Sequence, residues 1–241
     1  SAEAVVRTLE RDIKVIDVSA DFRLKDAAVY KEWYKETHPA PELLTEAVYG
    51  LPEIYRAEIS GARLVANPGC YPTCSILALA PAIREGLIEL DIIIDSKSGV
   101  SGAGRTLTLT THFAEANENV SAYALAGHRH MPEIKQEIQN LAGGREVSLT
   151  FVPHLIPMTR GMLSTCYARL TRPAGIEEVR NIYREFYRDE PFVRVVDVLP
   201  QTKQTLGSNF CMIHPVLDSR TGRLIVISCI DKLVNGGAGP A

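Results

Sequence analysis

Leu64-Val65-Ala66-Asn67-Pro68-Gly69-Cys70-Tyr71-Pro72-Thr73 joins a strand to a helix through one cysteine. Leu64 to Ala66 is a short apolar run and reads as strand, and Pro68-Gly69 forces a turn. From Tyr71 to Gly86 an early proline, apolar residues at helical spacing and a closing glycine predict a helix. In an open parallel sheet the reactive groups gather beyond the carboxyl ends of the strands, where Cys70 would emerge. A helix N-terminus also favours thiolate, the nucleophilic form of cysteine, so Cys70 is expected to be acidified. The alternative is a small, inert core residue.

Upstream, residues 1–11 resemble the second half of a helix and lead into a strand, Ile13 to Val18. With Ile92 to Asp95, these strands alternate with helices up to about residue 100, the pattern of a parallel α/β sheet. Further on the strands are longer and are expected to neighbour one another. Val147 to Val152 and Met162 to Leu170 are two, linked by a proline-containing connection. A helix over Ile176 to Arg188 puts Val179, Ile182, Tyr183, Phe186 and Tyr187 on one face. Strands Val193 to Val198, Phe210 to Val216 and Leu224 to Ile230 follow, the last two joined by the hairpin signal Asp218 to Gly222. This half reads as α+β with a largely antiparallel sheet. The chain opens on half a helix, as a truncated domain would, and 235–241 reads as a disordered tail or the approach to a further helix.

The 241 residues are 46% hydrophobic with a net charge of −3. That supports a folded core and offers no basic field for nucleic acid or an anionic membrane. There is no apolar run of about 18 residues and no signal-peptide pattern. The five cysteines form neither a disulfide framework nor a zinc site, and reduced thiols suit a cytoplasmic protein. Cys166, Cys211 and Cys229 fall in strand-like runs and are expected in the core.

Four more clusters bear chemistry. Gly127-His128-Arg129-His130-Met131-Pro132-Glu133 ends at a helix start, where the dipole would keep an imidazole neutral and basic. Histidines at i and i+2 of an extended segment lie on different sides, so one is expected to face inward. Asp95 to Arg105 is glycine-rich and follows a strand; its N–H groups could hold an anion or lie against a flat ring. It lacks the phosphate-loop ending and is not a dinucleotide fingerprint, and a plain turn is the alternative. Arg160, closing Pro157 to Gly161, suits a phosphate or carboxylate, or simply solvent. Asn209, just before a strand, could bind a carboxamide or cap a turn.

Together these residues resemble the N-acetyl-γ-glutamyl-phosphate reductase family, in its longer type. The matching stretches are VIDVSADFRLKD (15–26), YGLPEIYR (49–56), NPGCYPT (67–73), DSKSGVSGAGR (95–105), GHRHMPEI (127–134), FVPHLIPMTRGML (151–163), EPFVRV (190–195), GSNFCMI (207–213) and IDKLVNGGAG (230–239). They cover nearly the whole chain in family order.

The resemblance implies a partial Rossmann-type parallel sheet followed by a catalytic and dimerisation domain like that of glyceraldehyde-3-phosphate dehydrogenase. Residues 1–69 would be the remnant of the NADP-binding domain, 70–231 the catalytic and oligomerisation domain, and 232–241 a return toward the nucleotide. It implies NADPH-dependent reduction of an acyl phosphate to an aldehyde by a cytoplasmic homodimer or homotetramer of arginine biosynthesis. Cys70 would attack and form a thioester, and His130 would be the acid/base, with His128 as fallback or substrate contact. Tyr123, Arg160 and Arg105 would meet substrate, and Ser98, Gly99, Ser101, Gly102, Ala103 and Asn209 the nicotinamide end of the cofactor. No metal is implied. The family's glycine-rich first βαβ units do not precede Ser1, so the 241-residue chain alone is expected to bind NADPH weakly. A related reductase of carrier-protein-linked aminoadipyl or glutamyl phosphate in lysine synthesis, and a non-catalytic oligomerisation module, are the alternatives. Aspartate-semialdehyde dehydrogenase shares the architecture but not the surroundings of Cys70.

Overall fold

A computed structural model describes residues 2–104 and 108–241. Helix α1 (Ala2–Leu9) leads to β1 (Val15–Asp17); α2 (Ala27–Tyr34), β2 (Val48–Tyr49), α3 (Pro52–Gly61) and β3 (Leu64–Ala66) follow. The three strands form a parallel sheet in the order β1-β3-β2, with Val15 opposite Leu64 and Val48 opposite Val65. α1 buries Ala2, Val5 and Leu9 against Phe22, Leu44 and Leu64. On the edge strand β1 and its flanks, Ile13, Ile16 and Val18 are exposed.

The long helix α4 (Cys70–Arg84) leads into the second sheet. Its elements are β4 (Asp91–Ser98), α5 (Phe113–Ala116), β5 (Ser121–Ala122), α6 (His130–Leu141), β6 (Ser148–Leu155), β7 (Met162–Arg169), α7 (Ile176–Phe186), β8 (Val193–Val195), β9 (Cys211–Asp218) and β10 (Arg223–Ile230). The seven strands are ordered β5-β6-β4-β7-β10-β9-β8. Pairings β4–β6 and β8–β9 are parallel and the rest antiparallel. The largely antiparallel expectation therefore holds for this sheet, and the hairpin closes at Gly222 with a φ of 66°.

Three expectations are corrected. The strand at 92–95 does not extend the first parallel sheet; it is an interior strand of the second. Its isoleucine run hid an alternation in which Ile92, Ile94, Ser96 and Ser98 point inward while Ile93, Asp95 and Lys97 point outward. β6 and β7 are not neighbours, because β4 pairs with both. Nor is 235–241 a free tail: Val234–Ala238 makes a π-helical turn packed on α4, with Asn235 and Gly236 buried.

Helix α4 is the core of the larger layer, buried at every position from Tyr71 to Ile83. Such a helix carries no amphipathic stripe, because α6, α7, β7 and β10 surround it. It contains Pro81, which cannot donate to the carbonyl of Leu77. Two tyrosines of the α7 region repair the helix: Tyr187 OH donates to Leu77 O at 2.5 Å and Tyr183 OH to Ala78 O at 2.8 Å. Tyr187→Phe is expected to lower stability by about 1–3 kcal/mol, the cost of an orphaned buried carbonyl. In a Pro81→Ala background, which restores the N–H, the same change costs measurably less; urea unfolding of the double-mutant cycle checks this.

Candidate active site

Cys70 is the first residue of α4, after the turn at Gly69. It is half-buried, whereas Cys74, Cys166, Cys211 and Cys229 are buried. Cys74 is further occupied by Ser228, Sγ to Oγ at 2.9 Å. Cys70 is thus the one cysteine with access to a substrate, at the carboxyl end of a parallel strand.

Glu133 fixes the turn that carries it. This buried carboxylate sits in the first turn of α6; its Oε1 accepts the N–H of Gly69 at 2.8 Å and the hydroxyl of Tyr49 at 2.9 Å. Oε2 faces Arg23 Nη1 at 3.6 Å, and Arg23 Nε donates to Asn67 O at 2.8 Å. One carboxylate thereby links α6, β2, the Asp17–Arg23 loop and the cysteine turn. A side chain at Gly69 would lie 2.6 Å from His130 Nε2, so glycine lets the imidazole reach the cysteine turn.

Both histidines face the same space, which corrects the expectation of one inward ring. His130 begins the helix and Arg129 is already helical in φ and ψ, so the segment is not extended. The two rings are 4.9 Å apart between centroids, and Tyr71 stands edge-on to both. His128 Nδ1 accepts the N–H of His130 at 3.1 Å, which leaves its proton on Nε2. His130 Nδ1 is buried with no partner among the described residues. Tyr123 joins through its hydroxyl, 2.8 Å from that of Tyr71.

Burial governs the protonation of these groups. It lowers the pKa of His128 and of His130 to about 3, helped for His130 by the Arg23 and Lys232 cations, so both imidazoles are neutral. The same burial pushes the Cys70 thiol up, while Lys232, the N–H of Tyr71 and Arg23 pull it down. The expected acidification by the helix start is present but outweighed by desolvation.

The glycine-rich loop departs from expectation too. Gly99, Val100 and Ser101 donate their N–H groups to the carbonyls of Gly161, Met158 and Thr159, so these are not free to hold an anion. At Gly99 a Cβ would meet Met158 O at 2.8 Å, which explains the glycine. Ser98 is buried beneath the loop and bonded to Lys232, while Gly102 and Ala103 are exposed. Arg160 is held by the buried carboxylate of Asp231 at 2.9 Å, which also accepts N–H groups of Gly207 and Leu233. Its first partner is therefore internal. Arg105 lies outside the described residues.

Three asparagines tie down the segment 235–239, one of them belonging to it. Asn67 Nδ2 donates to Gly237 O at 2.7 Å, Asn209 Nδ2 to Gly239 O at 3.1 Å, and Asn235 Nδ2 to Asn209 O at 2.7 Å. The amide oxygen of each is buried without a partner, as is Ser101 Oγ. Unfilled acceptors of this kind fit a ligand with amide N–H groups, such as a nicotinamide. Glu133, Arg23, Asn67 and Lys232 were not singled out from the sequence; only Glu133, three residues after His130, had a positional signal.

The semialdehyde dehydrogenase dimerisation domain family matches residues 70–232, and the semialdehyde dehydrogenase NAD binding domain family matches 1–62. A protein named N-acetyl-gamma-glutamyl-phosphate reductase from Dehalococcoides mccartyi is 58% identical over 240 residues, which is 100% of this chain and 70% of that protein. One of the same name from Pelotomaculum thermopropionicum is 58% identical over 234 residues, covering 96% of this chain and 67% of its own length. The chain belongs to the N-acetyl-gamma-glutamyl-phosphate reductase family. Among solved structures, aspartate semialdehyde dehydrogenase II from Vibrio cholerae superposes with a TM-score of 0.73 at 15% identity, over 100% of this chain and 73% of that one. That likeness shows a shared fold. The reductase chain is therefore an α/β member of the semialdehyde dehydrogenases, with Cys70 opening its dimerisation-domain match. No helix among the described residues is long and apolar enough to cross a membrane.

Neutral imidazoles have a consequence for stability. A histidine of the unfolded chain titrates near pH 6.5, well above the folded value of about 3. Between those values the unfolded chain binds protons that the folded chain does not, so stability falls as pH drops below about 6.5. The pH dependence of the urea midpoint from pH 7 to 4.5 should be shallower in His128→Gln/His130→Gln than in wild type. Imidazole NMR signals of the two residues should stay in the neutral position over the same range.

Proposed function

We propose that this chain carries the chemistry of NADPH-dependent reduction of N-acetyl-γ-glutamyl phosphate to N-acetylglutamate semialdehyde, through a thioester on Cys70. The observation that carries the reading is the single accessible cysteine at the start of a buried helix, with the neutral His130 reaching its turn. The named relatives supply the substrate.

In the first half-reaction Cys70 sulfur bonds to the acyl carbon, the bond from that carbon to the phosphate oxygen breaks, and inorganic phosphate leaves. A thiolate serves both as attacking and later as leaving group, which splits one difficult step into two. His130, neutral and with its Nε2 edge against the cysteine turn, is the base for the thiol proton. Tyr123 and His128 wall the site and orient the acyl chain, and Arg160 and Arg105 are the cations nearest in role to the phosphate. The unfilled oxygens of Asn67 and Asn209, with Ser98, Gly99, Ser101, Gly102 and Ala103, would hold the nicotinamide end of NADPH. Bound NADPH supplies the hydride that reduces the thioester to the aldehyde level. The Asn235 turn packs on Cys70, with a Cβ at Gly236 lying 2.9 Å from Cys70 Cβ, and closes the site against water.

Residues 1–69 serve the nucleotide, 70–231 the catalysis and assembly, and 232–241 return to the nucleotide side through Asn67. The outward face of the large sheet, with Ile93 at 44% exposure beside Asp95 and Lys97, is the surface on which a second copy would pack as a homodimer or homotetramer. We place the enzyme in the cytoplasm, in arginine biosynthesis, acting on a small molecule without nucleic acid or membrane.

Acylation is testable without NADPH. Mixing the chain with N-acetyl-γ-glutamyl phosphate should release phosphate and add one acyl group to the Cys70 peptide by mass spectrometry. Cys70→Ser should abolish the thioester and lower NADPH oxidation by at least about a thousandfold. Acylation of another cysteine, or none at all, would favour the oligomerisation-module reading.

A further inference from the structure

Lys232 is 5% exposed and lies under the glycine-rich loop. Its ammonium donates to Ser98 Oγ and, at 3.3 Å, to Gly99 O, and sits 5.5 Å from the centre of the Tyr71 ring. The chamber exists because residue 102 is glycine: a Cβ there would coincide with the ammonium. The adjacent carboxylate of Asp231 is turned away, filled by Arg160 and the N–H groups of Gly207, Leu233 and Val234. Among the described residues Lys232 makes no salt bridge.

A buried ammonium with only neutral acceptors is costly and calls for an anion. The titratable groups facing it can be taken element by element. From α4 come Cys70 and Tyr71, from the turn before α6 comes His128 and from its first residue His130, and Tyr123 stands behind Tyr71. Beyond them lies the pair Arg23–Glu133, whose charges already offset each other. The tyrosine hydroxyls are pushed up by burial and the imidazoles are neutral, so none of these supplies the anion. Cys70 is the group left, and the Val234–Ala238 turn that follows Lys232 packs on it, a Cβ at Gly236 lying 2.9 Å from Cys70 Cβ.

We propose that Lys232 is the counter-ion of the Cys70 thiolate. The proposal rests on the reading of Cys70 as nucleophile and adds which cation makes it one. His130 takes the thiol proton and releases it to solvent, and the ammonium holds the negative sulfur until it attacks. When the aldehyde departs, the carbon–sulfur bond breaks with its electron pair on sulfur, and the same ammonium receives that charge. Lys232 therefore acts through Cys70 rather than on substrate.

The test follows iodoacetamide alkylation of the Cys70 peptide by mass spectrometry from about pH 5 to 10, because alkylation rate tracks thiolate. Wild type, Lys232→Met and Lys232→Arg are compared after thermal melts show each folded; Lys232→Gln replaces the methionine variant if that does not fold. Loss of the charge should move the midpoint up by about one pH unit and slow labelling at pH 7 about tenfold, while arginine keeps the wild-type profile. Equal profiles in wild type and Lys232→Met overturn the proposal. So does a folded Lys232→Arg that matches Lys232→Met, since the effect is then packing and not charge. A wild-type Cys70 that labels no faster than the other four cysteines overturns the nucleophile reading itself, a distinct result.

Discussion

The bond from the Gly69 N–H to the Glu133 carboxylate, 2.8 Å long, ties the cysteine to the histidines. Gly69 closes the strand–turn–helix unit of the first sheet, and Glu133 belongs to the helix that opens on His130. The two segments are 64 residues apart in the chain and are brought together by packing of α4 on α6. A charged acceptor makes this bond roughly twice as strong as a neutral one. Tyr49 shares the same carboxylate oxygen and Arg23 faces the other as an ion pair, so the carboxylate cannot swing away without leaving the Gly69 N–H and the Tyr49 hydroxyl unpaired. Position of the imidazole relative to the sulfur is thus set by a buried polar network, not by the loop that carries the histidines.

Local signals were legible where the chain makes its structure locally. The strand at Leu64–Ala66, the turn at Pro68-Gly69, the helix from Cys70 and the hairpin closing at Gly222 all follow from short-range backbone preferences, and the structure has them. Strand order was not legible. Nothing in Asp91–Ser98 announces that it will sit between β6 and β7, because a run of three isoleucines fits either face of either sheet. The site divides the same way. Cys70, His128, His130 and Tyr123 stood in motif-like surroundings and are brought together. Glu133, Arg23, Asn67 and Lys232 work through partners distant in sequence, and each is an ordinary surface residue type until the fold buries it.

In the glycine-rich loop, backbone partners distant in sequence decide what local reasoning leaves open. Its glycines suggest N–H groups free for a ligand, yet the N–H groups of Gly99, Val100 and Ser101 are spent on the 158–161 segment. The glycines instead admit neighbours: Gly99 the backbone of Met158 to Arg160, and Gly102 the end of Lys232. At both positions the missing side chain makes room for a neighbouring segment.

Burial explains the electrostatics of the site with one cause and two signs. Removing water raises the pKa of an acid and lowers that of a base, so the thiol and the imidazoles are both driven to their neutral forms. A neutral thiol beside a neutral imidazole is stable but unreactive, and transferring the proton between them would create two charges in a dry site. A fixed cation changes that balance asymmetrically. It favours thiolate and opposes imidazolium at once, so a proton taken by the ring passes on to solvent and is not kept there. Lys232 and Arg23 act on Cys70 and His130 in this sense, and Arg23 does so partly offset by Glu133. The uncompensated charge is the one under the glycine loop, and the helix N-terminus adds to it only through the N–H of Tyr71. Reactivity of this cysteine is therefore a property of the assembled interior, built from three chain segments, and not of the helix start alone.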